Sequence, residues 1–279
     1  MLAQVLGGSS RRISAAWRWK TGPGQANRRA VMRAGPTLTC PRISWVRQLG
    51  EPLSDTALLL IDLQNSYLVQ DVRDALGWPP IWRLDQVVTE CRELAESARS
   101  MSVPVVYSRQ LPSPAGSLAL NPRSARHRRL RAPLLPRLTA EDRRWRSQII
   151  DAVAPQPNDL VLDKTRHSFF AYTELDPILR SMGVRRLIVA GLQTNVCVEA
   201  TVRAGLERNF EVAVAEDSVS TDGPALHVAA LNAMRVLYVE VAPWRELIVP
   251  GAAWDLAYRT PNYGRDPDYW SDPNMPMPR

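Results

Sequence analysis

The chain has few of the residues that build disulfide frameworks and metal centres. Among 279 residues there are three cysteines and three histidines. Cys40, Cys91 and Cys197 are odd in number and far apart, and no CxxC pair occurs. This spacing argues against a disulfide framework and a structural zinc site. It fits a reducing compartment, so we predict a cytoplasmic protein.

Long apolar runs are also absent. No window approaches the roughly eighteen consecutive apolar residues of a membrane-spanning helix, and the N-terminus lacks a compact apolar stretch with a small-residue cleavage site. The sequence therefore predicts a soluble protein with no membrane partner. With 45% hydrophobic and 23% charged residues, the chain can bury one large core.

Acidic residues are missing from positions 1–50, which hold eight Arg and one Lys. Because the net charge of the whole chain is +7, the remainder carries −2 and is nearly neutral. We interpret this segment as a basic, disordered arm or a spurious extension. An organelle import signal or an arm for nucleic acid or a membrane surface are the alternatives. It has no recognisable recognition motif, so we expect no specific nucleic-acid partner.

From Thr56 onward, short apolar runs alternate with amphipathic segments. This alternation is typical of a parallel sheet covered by helices. We predict an α/β fold with a doubly wound, Rossmann-like, mainly parallel six-stranded sheet and helices on both faces, within a domain of residues 52–249. The predicted strands are 57–62, 103–107, 160–162, 186–190, 211–215 and 239–241, and the predicted helices are 84–101, 140–153, 174–182, 196–208 and 224–238.

Prolines and aromatic residues alternate in the last part of the chain, residues 250–279. The prolines oppose helix formation, so this segment is not expected to be a second globular domain. We interpret it as a tail that either wraps over a neighbouring subunit or remains loose.

Three reactive side chains follow separate predicted strands. Asp62 closes the first strand, Lys164 follows the third, and Cys197 follows the fourth at a predicted helix start. Since parallel strands end at one edge of a sheet, we expect these groups to converge. The carboxylate would accept the thiol proton, the ammonium would orient both groups, and the helix start would favour the thiolate. Taken singly, they could be a turn residue, a surface lysine and a small core residue.

The surrounding motifs point to a known family. They are Asp62-Leu63-Gln64-Asn65, Lys164-Thr165-Arg166-His167-Ser168-Phe169 and Gly191-Leu192-Gln193-Thr194-Asn195-Val196-Cys197-Val198. With these motifs in this order, the chain resembles the isochorismatase-like cysteine hydrolase superfamily from about residue 56 to about residue 244. The resemblance implies a catalytic triad of Asp62, Lys164 and Cys197. It also implies a cis peptide between Leu192 and Gln193, and an oxyanion hole formed by the backbone N–H groups of Gln193 and Cys197.

The activity that this resemblance implies is hydrolysis of a C–N bond. Asp62 takes the proton of Cys197, the thiolate attacks an amide or ureido carbonyl, and Asp62 then protonates the departing amine and activates the water that cleaves the thioester. The motifs look closest to carbamoyl and ureido hydrolases such as ureidoacrylate amidohydrolase and N-carbamoylsarcosine amidase. The alternatives are vinyl-ether hydrolysis of the isochorismatase type, whose enzymes lack the thiol, and a nucleic-acid-associated protein on an inert scaffold.

We expect no metal and no cofactor. The nicotinamidase branch binds a metal through an Asp and two His, but His127, His167 and His227 lack Asp-x-His spacing. Because the family often forms homo-oligomers, we predict a homo-oligomer here.

Candidate substrate contacts are Tyr67, Arg109, Phe170 and Asn195. Core packing is the alternative for the two aromatic residues, and helix capping is the alternative for Asn195. Arginines are concentrated in residues 123–146. They could attract a carboxylate-bearing substrate, or be solvated, or lie between subunits.

Overall fold

The computed structural model describes Leu53, residues 55–111 and residues 122–248. The predicted basic arm and the predicted C-terminal tail lie outside these residues, so the domain boundaries stay predictions.

Six strands form a single sheet in which every neighbouring pair is parallel. They are β1 Thr56–Ile61, β2 Val105–Gln110, β3 Leu160–Lys164, β4 Arg186–Leu192, β5 Glu211–Ser220 and β6 Glu240–Ala242. Their order across the sheet is β3-β2-β1-β4-β5-β6. This is the doubly wound order, which confirms the predicted fold class. The direction of strand succession reverses between β1 and β4, where such sheets bind ligands beyond the strand ends.

Eight α-helices lie in the described part of the chain. They are α1 Asp71–Ala75, α2 Leu84–Ser100, α3 Pro122–Arg131, α4 Ala140–Ser147, α5 Leu175–Ser181, α6 Glu199–Leu206, α7 Pro224–Arg235 and α8 Trp244–Leu247. Short 3-10 turns occur at Asn65–Tyr67, Ala132–Leu134 and Asp151–Val153, and a π turn spans Thr194–Val198.

The first strand is buried on both faces because helices cover both sides of the sheet. Leu58 and Leu60 pack in one core cluster with side chains of α2 and α8. Ala57, Leu59 and Ile61 pack in the other cluster with side chains of α5, α6 and α7. The apolar run of β1 is therefore continuous because both faces of this central parallel strand are buried.

Some elements differ from their predicted bounds. The predicted helix 140–153 ends at Ser147 because Ile149 pairs with Gln64 as an antiparallel bridge. Strand β5 continues to Ser220, beyond the predicted end at residue 215. The helix α3 was not predicted, since its arginine-rich sequence has almost no apolar periodicity.

A close approach between β4 and β1 occurs at Gly191. Its φ is +107°, and a Cβ atom there would lie 2.2 Å from the carbonyl oxygen of Ile61. The register of β4 against β5 also shifts between Val189 and Gly191. Only glycine fits this backbone and this contact. The irregularity sets the direction of the chain as it leaves β4.

We expect Gly191→Ala to destabilise the fold by more than about 3 kcal/mol, because strain at positive φ adds to a backbone clash that no rotamer change relieves. Gly183→Ala is the matched control, since Gly183 also has a positive φ of +71° but nothing lies within 4 Å of the added Cβ. The control should lose only about 1–2 kcal/mol. Guanidinium unfolding midpoints measure both, and equal losses would contradict the packing argument.

Candidate active site

A buried ion pair joins the ends of β1 and β3. Lys164 Nζ lies 2.7 Å from Asp62 Oδ2, and the two side chains are 0% and 1% exposed. The ammonium also donates to Gln110 Oε1 at 2.7 Å and to the carbonyl of Arg166 at 3.0 Å. Ser108 Oγ donates to Asp62 Oδ1 at 2.7 Å. The ammonium thus has an opposite charge and two hydrogen-bond acceptors beside it, which offsets the cost of burying a lysine.

The backbone of Asp62 has a left-handed conformation, with φ of +50°. Aspartate tolerates this region better than most residues. Its N–H donates to Ser108 Oγ at 3.0 Å, and its carbonyl accepts the N–H of Gln64 at 2.8 Å. The chain therefore turns sharply where β1 ends, with the carboxylate at the sheet edge.

Gln64 and Asn65 tie the arginine-rich segment to this edge. The amide of Gln64 donates to the carbonyls of Gln110 at 3.2 Å and Ser147 at 2.9 Å. The amide of Asn65 donates to the carbonyl of Trp145 at 3.1 Å. Both amide residues are buried. These two positions of the first motif thus hold α4 beside the end of β1.

Cys197 lies in the π turn and is 6% exposed. Burial and then the Asp62 carboxylate raise the pKa of its thiol, and with the opposing effect of the Lys164 ammonium included the pKa is about 12. This net shift is opposite in direction to the effect predicted for a helix start, which stays a prediction. Desolvation and the neighbouring carboxylate outweigh the ammonium. The thiol is protonated at neutral pH and needs a base before it can attack.

The peptide bond between Leu192 and Gln193 is cis, as the family resemblance implies. The side-chain amide of Gln193 donates to the carboxylate of Asp222. The same carboxylate pairs with the buried guanidinium of Arg73. Asp222, in the loop after β5, and Arg73 of α1 thus hold the turn that carries the cysteine.

A second contact on this turn was missed by the sequence reasoning. Thr194 is fully buried, and its Oγ1 lies 3.0 Å from Nδ1 of His227. Burial, followed by the charges of Arg83 and Arg235, lowers the pKa of His227 to about 4, so the ring is neutral. No sequence signal links a residue of α7 to this turn, because the contact exists only in the folded chain.

Two of the candidate substrate residues lie at this site. Burial, then the charges of Asp62 and Cys197, raise the pKa of Tyr67 well above its usual value near 10, so its hydroxyl is within the electrostatic influence of both groups. Asn195 Oδ1 accepts a hydrogen bond from Thr221 Oγ1 at 2.6 Å. No side-chain cap hydrogen bond occurs at the start of the π turn or of α6.

The other two candidates have contacts within the protein, and their roles as substrate contacts stay predictions. Phe170 is 5% exposed and packs in the core, with its ring centre 5.7 Å from that of Phe210. Arg109 forms two contacts with Asp163 on the neighbouring strand, at 2.6 and 3.0 Å. Because side chains alternate along β2, Arg109 faces away from the side on which Ser108 lies.

His167 lies beside the thiol although the sequence reasoning considered it only as a metal ligand. Its Nδ1 is 3.7 Å from Cys197 Sγ, and its side chain is exposed at the surface. Burial of part of the ring, and then the charge of Lys164, lower the pKa of His167, while Asp62 opposes this change. The sequence feature that could have indicated this contact is the position of His167, three residues after Lys164.

Within the described residues, no three His, Cys, Asp or Glu side chains converge as metal ligands would. The absence of a catalytic metal stays a prediction. In the same part of the chain, no helix has both the length and the apolar character needed to cross a bilayer.

We expect Asp62→Asn to accelerate alkylation of Cys197, because the carboxylate raises the thiol pKa and Lys164 would remain to stabilise the thiolate. The rate at pH 8 should rise roughly tenfold for each unit by which the thiol pKa falls. Iodoacetamide modification of the Cys197 peptide, followed by mass spectrometry from pH 6 to 10, measures this rate. Asp163→Asn is the control on the same sheet edge. An unchanged or slower rate in Asp62→Asn would contradict the electrostatic argument.

Comparison with known proteins identifies the family and the fold. The isochorismatase domain family model matches residues 56–246. Ureidoacrylate amidohydrolase RutB of Pantoea ananatis is 31% identical over 184 residues, covering 63% of this chain and 73% of that protein.

Solved structures share the fold. A cysteine hydrolase from Pseudomonas syringae pv. phaseolicola 1448A superimposes with a TM-score of 0.59 and 25% identity, covering 73% of this chain and 96% of that chain. N-carbamoylsarcosine amidase from Thermoplasma acidophilum gives a TM-score of 0.51 and 26% identity, covering 68% and 96%. The family match spans more than half of the sequence, and this chain belongs to the isochorismatase family.

Proposed function

We propose that this chain is a cysteine amidohydrolase that cleaves the C–N bond of a small amide, carbamoyl or ureido compound through a thioester on Cys197. One observation carries the proposal: a thiol, a carboxylate and an ammonium from the ends of three strands act on one another at a buried sheet edge. Such a set supplies a nucleophile, its base and a cation that orients the base.

Acylation begins with proton transfer from Cys197 to Asp62. At rest the thiol is neutral, and the carboxylate beside it is fixed by Lys164 and Ser108. The thiolate formed by this transfer attacks the substrate carbonyl carbon. The protonated carboxyl then gives its proton to the departing nitrogen, so that ammonia or an amine leaves and a thioester remains.

The negative oxygen of the tetrahedral intermediate needs fixed donors. The backbone N–H groups of Gln193 and Cys197 belong to the turn after β4, and we assign them this role. The contacts of Gln193 with Asp222 and of Thr194 with His227 support the assignment, because they fix the turn before substrate binds.

The substrate class rests on similarity and on chemistry. The curated relative is named for a ureidoacrylate and a solved relative for an N-carbamoyl compound. Tyr67 and Asn195 remain the candidate substrate contacts, since both lie at the site. Vinyl-ether hydrolysis is less well supported, because a buried thiol with its own base has no role in that reaction. The nucleic-acid hypothesis depends on residues 1–50, which lie outside the described residues.

We expect Cys197→Ala to lower the release of ammonia from carbamoyl, ureido and primary-amide compounds by at least about 10⁴-fold, because the nucleophile is lost. A coupled ammonia assay on a panel of these compounds measures it, in the presence of a metal chelator. Cys91→Ala is the matched control, since Cys91 is a buried thiol of α2 whose sulfur contacts the carbonyl of Ser218.

Turnover lost only in Cys197→Ala, and kept with chelator, would support the thiol mechanism and name the substrate class. Turnover retained in Cys197→Ala would rule the thioester out. Turnover abolished by the chelator alone would replace the proposal with a metal-dependent one.

A further inference from the structure

We propose that His167 is the general base that activates the water which hydrolyses the thioester on Cys197. The inference rests on the proposed function and deepens it, because it divides the two half-reactions between two bases. Asp62 serves acylation, and His167 serves deacylation.

The first argument is the enclosure of Asp62. Its side chain is 1% exposed. Oδ1 accepts the hydroxyl of Ser108, and Oδ2 faces the ammonium of Lys164, each at 2.7 Å. This carboxylate is well placed to exchange a proton with the buried thiol. Its 1% exposure leaves it little contact with bulk solvent, whereas His167 is exposed.

The second argument is the position of the imidazole. Nδ1 of His167 lies 3.7 Å from Cys197 Sγ. The residue is exposed, whereas the sulfur beside it is almost completely buried. The ring therefore stands between the nucleophile and the surface. A water molecule hydrogen-bonded to this ring would lie close to the carbon bonded to Sγ.

The third argument is the protonation state. Three groups act on His167: Lys164 at the end of β3, Asp62 at the end of β1 and Cys197 on the turn after β4. Burial and the ammonium lower the pKa of His167 from its usual value, and the carboxylate offsets them only in part. The imidazole is consequently neutral at pH 7 and able to accept a proton.

The step balances as follows. Nδ1 accepts a proton from water while the water oxygen bonds to the thioester carbon. The tetrahedral intermediate collapses, the C–S bond breaks, and the acid is released. The imidazolium then returns its proton to the thiolate of Cys197, which lies within reach of Nδ1. The thiol, the neutral imidazole and the Asp62–Lys164 pair are all regenerated.

The test isolates deacylation from the unknown substrate. p-Nitrophenyl acetate acylates a thiol without any need for leaving-group protonation, so acetyl-Cys197 forms whether or not the natural substrate is an amide. After excess reagent is removed, mass spectrometry of the Cys197 peptide follows loss of the acetyl group from pH 5 to 8. Cys197→Ala provides the blank, and His127→Gln provides a control histidine that is exposed on α3.

We expect His167→Gln to slow hydrolysis of acetyl-Cys197 by at least about 10²-fold, the usual contribution of a general base. In the unmodified protein, the rate should fall as the pH falls through the pKa of His167, and the variant should lose this dependence. Imidazole added to His167→Ala should restore hydrolysis. Neutral hydroxylamine, which attacks without a base, should cleave the thioester equally fast in the unmodified protein and in both variants.

Equal hydrolysis rates with the same pH profile in His167→Gln and the unmodified protein would overturn the proposal. Slow hydrolysis in Asp62→Asn but not in His167→Gln would assign the base to the carboxylate and overturn it equally. A difference in hydroxylamine cleavage would show altered access to the thioester, and would overturn the assignment of a base. The ammonia assay with the amide panel tests the proposed function separately, so either idea can fail alone.

Discussion

The buried ion pair between Asp62 and Lys164 connects two strands that do not touch. In the sheet β2 lies between β1 and β3, and the pair reaches across its end. Burying two charges is unfavourable unless their remaining hydrogen-bonding capacity is satisfied. The end of β2 meets this demand: Ser108 donates to the carboxylate and Gln110 accepts from the ammonium. The polar residues at this edge therefore satisfy the hydrogen-bonding needs of the buried ion pair. The apolar strands that lead to this edge hold them in position.

The same pair controls the nucleophile in two opposite ways. The carboxylate raises the pKa of the Cys197 thiol and the ammonium lowers it, while burial exceeds both. A thiolate beside Asp62 would be costly at rest, so the resting site holds a neutral thiol next to a ready proton acceptor. Enclosure makes this arrangement effective for acylation, because the proton has one nearby destination. The exposed ring of His167 lies 3.7 Å from the same sulfur, and its proposed role begins once the thioester has formed.

Sequence reasoning predicted the sheet, and it predicted that Asp62, Lys164 and Cys197 converge, because both depend on where strands end. Asp62, Lys164 and Cys197 each follow an apolar run, and parallel strands end at a common edge. It could not predict which face a residue near a strand end takes, and the structure places Arg109 against Asp163 instead of at the triad. Phe170 is a similar case, because burial in the core stabilises a large apolar ring whether or not a site lies nearby. Contacts such as that of Thr194 with His227 join distant segments, and no local pattern encodes them.

The arginine-rich segment has structural contacts that limit what its charge can do for a substrate. Arg146 of α4 forms two contacts with Asp71 of α1, at 2.8 and 2.5 Å. Arg131 of α3 lies over the ring of Trp78, 5.1 Å from its centre, and Arg73 lies 5.8 Å from the same ring. Since Arg73 also pairs with Asp222, which holds Gln193, the segment is connected through stacked side chains to the turn of the nucleophile. Net positive charge along this segment is therefore a poor measure of the charge offered to a ligand. Arg146 binds a carboxylate of the protein itself and Arg131 an aromatic ring, and both contacts are made to the region of α1 that carries Arg73.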